Sequence, residues 1–256
     1  MVIAIIAIGF FALPIIGLIW RAPWAHLGDL LTRPSVVQAL GLSMATSIAA
    51  ALAATILGVP LAWLLARINF PGRNAVRALT TLSMVLPPVV GGVALFASFG
   101  RRGLFGTYLD RWFGIQLPFS TAGVIVAQTF VAMPFLVLTV ESALHQFDRR
   151  IEDAARTLGG SSWYVFSRVT VPSIRSALIA GIVLAWARAL GEFGATITFA
   201  GNLPGRTQTM PLATYLALQT DPDEAIMLAL ILITVSFATL IALRHRWLAP
   251  RLGGSS

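Results

Sequence analysis

The chain has 256 residues, of which 57 % are apolar and only 11 % are charged, so it is neither a disordered chain nor an average soluble domain. Its formal net charge is +8, and all 18 basic residues are arginines that lie between apolar runs without forming a basic stripe. This distribution argues against a nucleic-acid-binding protein. Cysteine is absent, which excludes disulfides and thiolate metal sites, and the three histidines lack metal-ligand spacing, so we expect no metal site. The composition predicts a polytopic membrane protein.

Six apolar runs predict six transmembrane helices, because about 20 residues at helical rise cross a hydrocarbon core of about 30 Å. The first run carries no clear cleavage signal and is interpreted as an uncleaved span. The run from 35 to 66 is too long for one perpendicular helix, so its start is expected to lie along the membrane interface. No internal repeat or second domain is evident, and the sequence predicts a single all-α domain, residues 1–256. The predicted spans are 1–20, 40–65, 78–99, 121–144, 176–198 and 225–243.

The segment 151–172 is unusually polar for its position between the fourth and fifth spans. Helix-forming residues precede the pair Gly159-Gly160, and glycine readily takes the positive φ that ends a helix. Ser161 or Ser162 can cap a second helix through Val169, and Pro172 marks the next break. The pattern predicts a helix, a glycine corner and a second helix that together form a docking element, although an ordinary polar loop is the alternative.

The same segment resembles the signature loop of bacterial ABC-importer permeases of the type I family. Asp153-Ala154-Ala155 is followed by three residues and Gly159, and nine further residues lead to Val169-Thr-Val-Pro172. The family has glutamate where Asp153 stands, and Glu152 lies one position earlier, so the identity of the key acid stays open. The resemblance implies a cytoplasmic coupling helix between helices 4 and 5, within a loop of about 145–175, that sits in a groove of the ATP-hydrolysing subunit. The expected ATPase-coupling residues are Glu152, Asp153, Ala154, Ala155, Leu158 and Gly159.

Arg188 and Glu192 interrupt the fifth predicted span, where a central arginine costs at least ~2.5 kcal/mol on insertion scales. Residues four apart share one helix face, so the pair can neutralise itself or can face a central path. Prolines inside the third span also allow two interpretations. They either kink the helix or form a wall of the path. The candidate translocation-path residues are Pro87, Pro88, Gly91, Arg188, Glu192 and Thr196.

The sequence around this charged pair resembles the molybdate-transport subfamily of these permeases. The similarity is carried by the stretches 86–92, 188–196, 199–202 and 207–212. It implies uptake of molybdate, but tungstate and sulfate permeases share many of these sequence motifs and remain alternatives.

The arginines also indicate orientation. Eleven of them lie on the side that holds segment 151–172, against six on the opposite side. Because positive residues favour the cytoplasm, the docking segment and both termini are expected to be cytoplasmic in a bacterial plasma membrane.

We therefore expect a membrane permease subunit of an ATP-driven oxyanion importer. The chain has no phosphate-cradling glycine motif and no catalytic constellation, so it is not expected to be an enzyme or to bind a cofactor. The resemblance implies a homodimer, two cytoplasmic ATPase subunits that hydrolyse ATP with magnesium, and an extracytoplasmic oxyanion-binding protein. Nucleic acid is not an expected partner. An ion-driven transporter or channel and an intramembrane enzyme are the weaker alternatives, and neither explains segment 151–172.

Overall fold

The computed structural model describes residues 1–247, which form helices connected by short turns and contain no strand. All-α architecture is therefore confirmed. Arg251, one of the arginines used for the orientation, lies outside the described residues. The helices are α1 Val2–Arg21, α2 Leu27–Thr32, α3 Pro34–Arg67, α4 Arg73–Val85, α5 Pro88–Phe99, α6 Gly106–Phe113, α7 Thr121–Gln146, α8 Arg149–Thr157, α9 Ser162–Val165, α10 Val171–Ser173, α11 Arg175–Leu190, α12 Gly194–Ala200, α13 Met210–Thr220 and α14 Pro222–Trp247. A 3-10 turn, Trp24–His26, precedes α2, and a π-helical turn, Phe166–Thr170, follows α9.

Four helices, α1, α3, α7 and α14, are long and apolar enough to cross a membrane, and a fifth crossing results if the bent pair Ser162–Ser173 and Arg175–Leu190 is counted. The single span predicted at 78–99 is wrong in detail, because the structure divides it into α4 and α5. Leu86 and Pro87 each precede a proline and take extended backbone, as the steric effect of the following ring requires. Helix α3 is continuous from Pro34 to Arg67, so no break separates the expected interfacial start from the rest of the second span.

The residues form two compact units. The first consists of Met1–Ser43 and Asn202–Arg246. Its apolar core includes Val36, Ala39, Met210, Ala225 and Leu228. The Ser43 hydroxyl accepts a hydrogen bond from the Met210 backbone N–H at 2.7 Å, which satisfies one of the free donors at the start of α13.

The second unit, Met44–Gly201, is built around α7. Helices α4, α5, α11 and α12 all pack against α7, which contributes Leu136, Val140 and Leu144 to the main core. This unit contains the residues predicted for coupling and for the path, and its core fixes where both sets lie.

Three connections between the predicted spans contain helices. Within 100–120 lies α6, and within 200–224 lies α13. Pro211 occupies the first turn of α13, where proline removes no intrahelical hydrogen bond. The polar connection 21–34 likewise contains α2.

Candidate functional site

Helix α8 forms the first half of the predicted docking element. The Asp148 carboxylate caps its start by accepting from the Arg150 N–H at 2.9 Å. At its end Gly159 has φ +88°, and the Gly160 N–H donates to the Ala155 carbonyl at 3.0 Å. This is the glycine-terminated helix end that the sequence predicts at Gly159.

The second half begins at Ser161, whose hydroxyl accepts from the Tyr164 N–H at 3.2 Å. The expected continuous helix to Val169 is wrong in detail, because α9 gives way to a π-helical turn at Phe166. The break predicted at Pro172 is displaced to Ile174, where the chain bends by 77° into α11. Pro172 itself lies inside the helical stretch Ser162–Ser173, so it does not end the helix.

The coupling residues do not share one environment. Leu158 is 89 % exposed, although large apolar side chains are usually buried. Asp153, Ala154 and Gly159 are also exposed. An open groove beside them is lined by Ala155, Leu158, Gly159, Gly160, Ser161, Tyr164 and Val169.

Glu152 differs from these residues, because it is only 1 % exposed and points into the protein. Its carboxylate lies 3.1 Å from Nε of Arg67 and accepts a hydrogen bond from the Thr170 hydroxyl at 2.8 Å. The sequence places Glu152 beside Asp153, but consecutive helical residues point in different directions, and α8 buries the first and exposes the second. Asp153 is instead paired with Arg156 on the exposed surface.

The candidate path residues come together where α5 and α12 meet. A Cβ on Gly194 would approach the Pro88 side chain to 2.7 Å, and one on Gly92 would approach Cβ of Thr198 to 2.6 Å. The two helices therefore touch at the level of their backbones. As a result, the chain break at Pro87 lies next to the break between α11 and α12.

Arg188 and Glu192 form an ion pair of 2.7 Å, as the self-pairing interpretation predicts. They do not share a continuous helix, because α11 ends at Leu190 and α12 begins at Gly194. Glu192 also accepts a hydrogen bond from the Ala195 N–H at 2.8 Å, so it caps α12. Its side chain is 1 % exposed, whereas that of Arg188 is 28 % exposed.

The remaining path candidates differ in exposure. Pro87 and Pro88 are exposed, whereas Gly91 and Thr196 are buried. The Thr196 hydroxyl has no hydrogen-bond partner within residues 1–247. The fifth predicted span thus contains one buried polar side chain within its break, Glu192, and one just after it, Thr196.

Sequence reasoning missed a buried acid besides Glu152 and Glu192. Glu141, near the end of the fourth predicted span, is 5 % exposed and accepts from Nε of Arg77 at 3.0 Å. His145 lies 3.5 Å from the same carboxylate. A glutamate near the end of an apolar run signals such a partner, but its identity depends on how α4 packs on α7.

The contact between α5 and α12 predicts different sensitivities at two glycines. Gly92→Ala should lower stability by about 1–3 kcal/mol, because the new methyl group overlaps Thr198 and the Ala195 carbonyl. Gly191→Ala is the matched control, since its Cβ would meet only the Ala187 carbonyl at 3.7 Å. Thermal unfolding of the purified variants measures both effects. Equal midpoints for the two variants would contradict the observed backbone contact.

A family model described as the inner membrane component of binding-protein-dependent transport systems matches residues 58–254. The chain belongs to this family. It is 44 % identical over 243 residues to the molybdenum transport system permease protein ModB of Mycobacterium tuberculosis, which covers 95 % of this chain and 92 % of that protein. ModB of Escherichia coli K12 is 43 % identical over 212 residues, covering 83 % of this chain and 93 % of that protein.

More distant relatives show the same family. The sulfate transport system permease protein CysT of Escherichia coli K12 is 34 % identical over 221 residues, covering 86 % of this chain and 79 % of that protein. Among solved structures, a bacterial alginate ABC transporter in complex with an alginate-bound periplasmic protein superposes with a TM-score of 0.79 at 17 % identity, covering 100 % of this chain and 95 % of that one. A chain of the MetNI methionine ABC transporter gives 0.63 at 16 % identity, covering 83 % and 94 %. The fold is therefore that of an ABC transporter permease.

Proposed function

We propose that this chain is the permease subunit of an ATP-driven importer whose cargo is molybdate. The observation that carries the proposal is the 44 % identity to a molybdenum permease across 95 % of the chain, against 34 % to a sulfate permease. The candidate path stretches at 86–92 and 188–196 lie within residues 58–254, which the family model matches.

The exposed face of α8 supports an ATPase-binding role. Leu158 projects from the helix end beside the open groove, and Asp153 and Ala154 lie on the exposed surface of the same helix. Leu158 and Tyr164 are both exposed and both line this groove, and adjoining exposed apolar side chains are typical of a protein interface. We propose that this face of the coupling helix docks on a separate ATPase, which binds ATP and magnesium in place of this chain.

The assembly we propose contains two copies of this chain, two ATPases and an extracytoplasmic oxyanion-binding protein. Each copy crosses the membrane six times, with α4–α5 and α11–α12 as the broken third and fifth crossings. The two termini and α8 then lie in the cytoplasm. Transport follows from the different affinities of two permease conformations for the nucleotide-loaded ATPases, which shift the population between them.

The path proposal rests on the region where α5 meets α12. Broken helices near the middle of a membrane are tolerated where they are buried in protein or line a water-filled cavity. Arg188 is partly exposed and is paired with Glu192 at the break before α12, while Pro87 and Pro88 are exposed at the start of α5, which packs on α12. We propose that these residues, with Gly91, Glu192 and Thr196, form the wall of the oxyanion path.

Uptake by the complete complex in sealed vesicles tests the function. Labelled molybdate should accumulate only when ATP and the binding protein are both supplied, and unlabelled molybdate should compete better than sulfate. Tungstate is included because its oxyanion has nearly the same shape and charge. Preferential sulfate uptake would overturn the cargo assignment, and uptake without nucleotide would favour an ion-driven transporter.

The proposed orientation predicts which positions react with a membrane-impermeant thiol reagent. The chain has no native cysteine, so each introduced thiol is unique. A cysteine at Ser161 should be labelled only after the cells are opened, whereas one at Arg102 should be labelled in intact cells. Both side chains are exposed in the structure, which makes them comparable. Labelling of position 161 from outside would reverse the orientation.

A further inference from the structure

We propose that Arg67 and Glu152 are positioning residues that fasten the coupling helix to the transmembrane core, so that movement of the ATPase is passed to the path. The inference rests on the proposed function and assigns Glu152 an inward role in place of ATPase contact. Arg67 is the last residue of α3, and Glu152 lies in the first turn of α8. The ion pair therefore joins a long apolar helix directly to the docking element.

The pair is almost completely removed from solvent. The side chains of Arg67 and Glu152 are 8 % and 2 % exposed. Two guanidinium nitrogens approach the carboxylate, Nε at 3.1 Å from Oε2 and the terminal Nη2 at 3.3 Å from Oε1. A buried pair of this kind tolerates little displacement, because moving one charge leaves the other uncompensated in a low-dielectric site.

The junction has a third member on the far side of the docking element. The Thr170 hydroxyl, 1 % exposed, donates to the Glu152 carboxylate from the end of the π-helical turn. The chain continues from Thr170 through α10 into α11, the helix that carries Arg188. Arg67 also donates to the Phe147 carbonyl at 3.4 Å, just before α8 begins. One carboxylate thus connects the end of α3, the start of α8 and the approach to α11.

The opposite faces of α8 then have separate roles. Leu158 and Asp153 face outward, where the proposed ATPase binds, and Glu152 faces inward. A variant at the inward face should still bind the ATPase but should transmit its motion poorly. A variant at the outward face should lose the ATPase itself.

The ratio of anion transported to ATP hydrolysed tests this assignment. In the full complex, Glu152→Gln should lower that ratio at least about tenfold while ATPase binding changes less than about threefold, because only the inward contact is removed. Glu141→Gln is the matched control, since it breaks a buried ion pair in the same unit without touching α8. It should lower thermal stability and leave the ratio unchanged.

If Glu152→Gln does not assemble, a less disruptive variant and a direct distance measurement still test the proposal. Thr170→Val removes one hydrogen bond and should lower the same ratio by a smaller factor. Spin labels at Ala75 and Thr157, both exposed, should give a narrow distance distribution that broadens in the Glu152 and Thr170 variants. This readout needs no cargo, so it remains interpretable if the transported anion is not molybdate.

Three results would overturn the proposal. The first is a Glu152→Gln complex in which both the ratio of anion transported to ATP hydrolysed and the distance distribution are unchanged. The second is loss of ATPase binding in Glu152→Gln while α8 stays in place, and the third is an equal fall of the transport ratio in Glu141→Gln. The second result would return Glu152 to the ATPase interface. The third would show that general destabilisation, rather than this junction, causes uncoupling.

Discussion

Arg188→Leu alone should abolish assembly and uptake. Glu192 is 1 % exposed and would keep its negative charge without its partner at 2.7 Å. Breaking a buried pair in this way costs about 3–5 kcal/mol, and the lower end applies because Arg188 is 28 % exposed. Assembly is measured by size-exclusion chromatography of the complex, and uptake in vesicles with labelled molybdate.

A double variant distinguishes pairing from anion passage. Arg188→Leu with Glu192→Gln removes both charges, and the amide oxygen can still accept from the Ala195 N–H that Glu192 caps. Folding and ATPase binding should recover. If Arg188 lines the path, uptake should remain lost, because the cation that attracts the anion is absent. Near-normal uptake would show the pair to be structural and would remove Arg188 and Glu192 from the proposed path.

Gly159→Val should prevent productive ATPase docking and reduce uptake to background. The residue has φ +88°, a conformation that a β-branched side chain does not adopt readily. No atom lies within 4 Å of a Cβ at this position, so the expected effect is backbone strain and not a clash. The corner would change direction, and Leu158 would leave its place beside the groove. Copurification with the ATPase and ATP hydrolysis stimulated by the binding protein measure the loss.

Gly159→Asn is the matched control, because asparagine accepts the left-handed conformation far better than valine. It should retain most of the assembly and hydrolysis. A Gly159→Val complex that assembles and hydrolyses ATP normally would contradict the assignment of this corner to the coupling element. Failure of both variants would instead indicate that any side chain at the corner obstructs the ATPase.

Local signals in the sequence determined several helices, the glycine corner and the family of this protein. The apolar run at 121–144 predicts α7 closely, and Pro134 inside the run does not end the helix. The pair Gly159-Gly160 predicts the corner, since the required positive φ is a property of the residue itself. The motif spacing and the sequence of the charged stretch 188–196 also predicted the family, and the comparisons confirm it.

Only the tertiary structure decided which way the charged side chains face. Glu152 and Asp153 are neighbours in the sequence, yet the packing of α8 buries one against Arg67 and exposes the other. Glu192 acquires its capping role because α11 ends at Leu190, although the sequence predicts one continuous span from 176 to 198. The energy of a buried charge depends on its partners, and partners far apart in the chain are brought together only by folding.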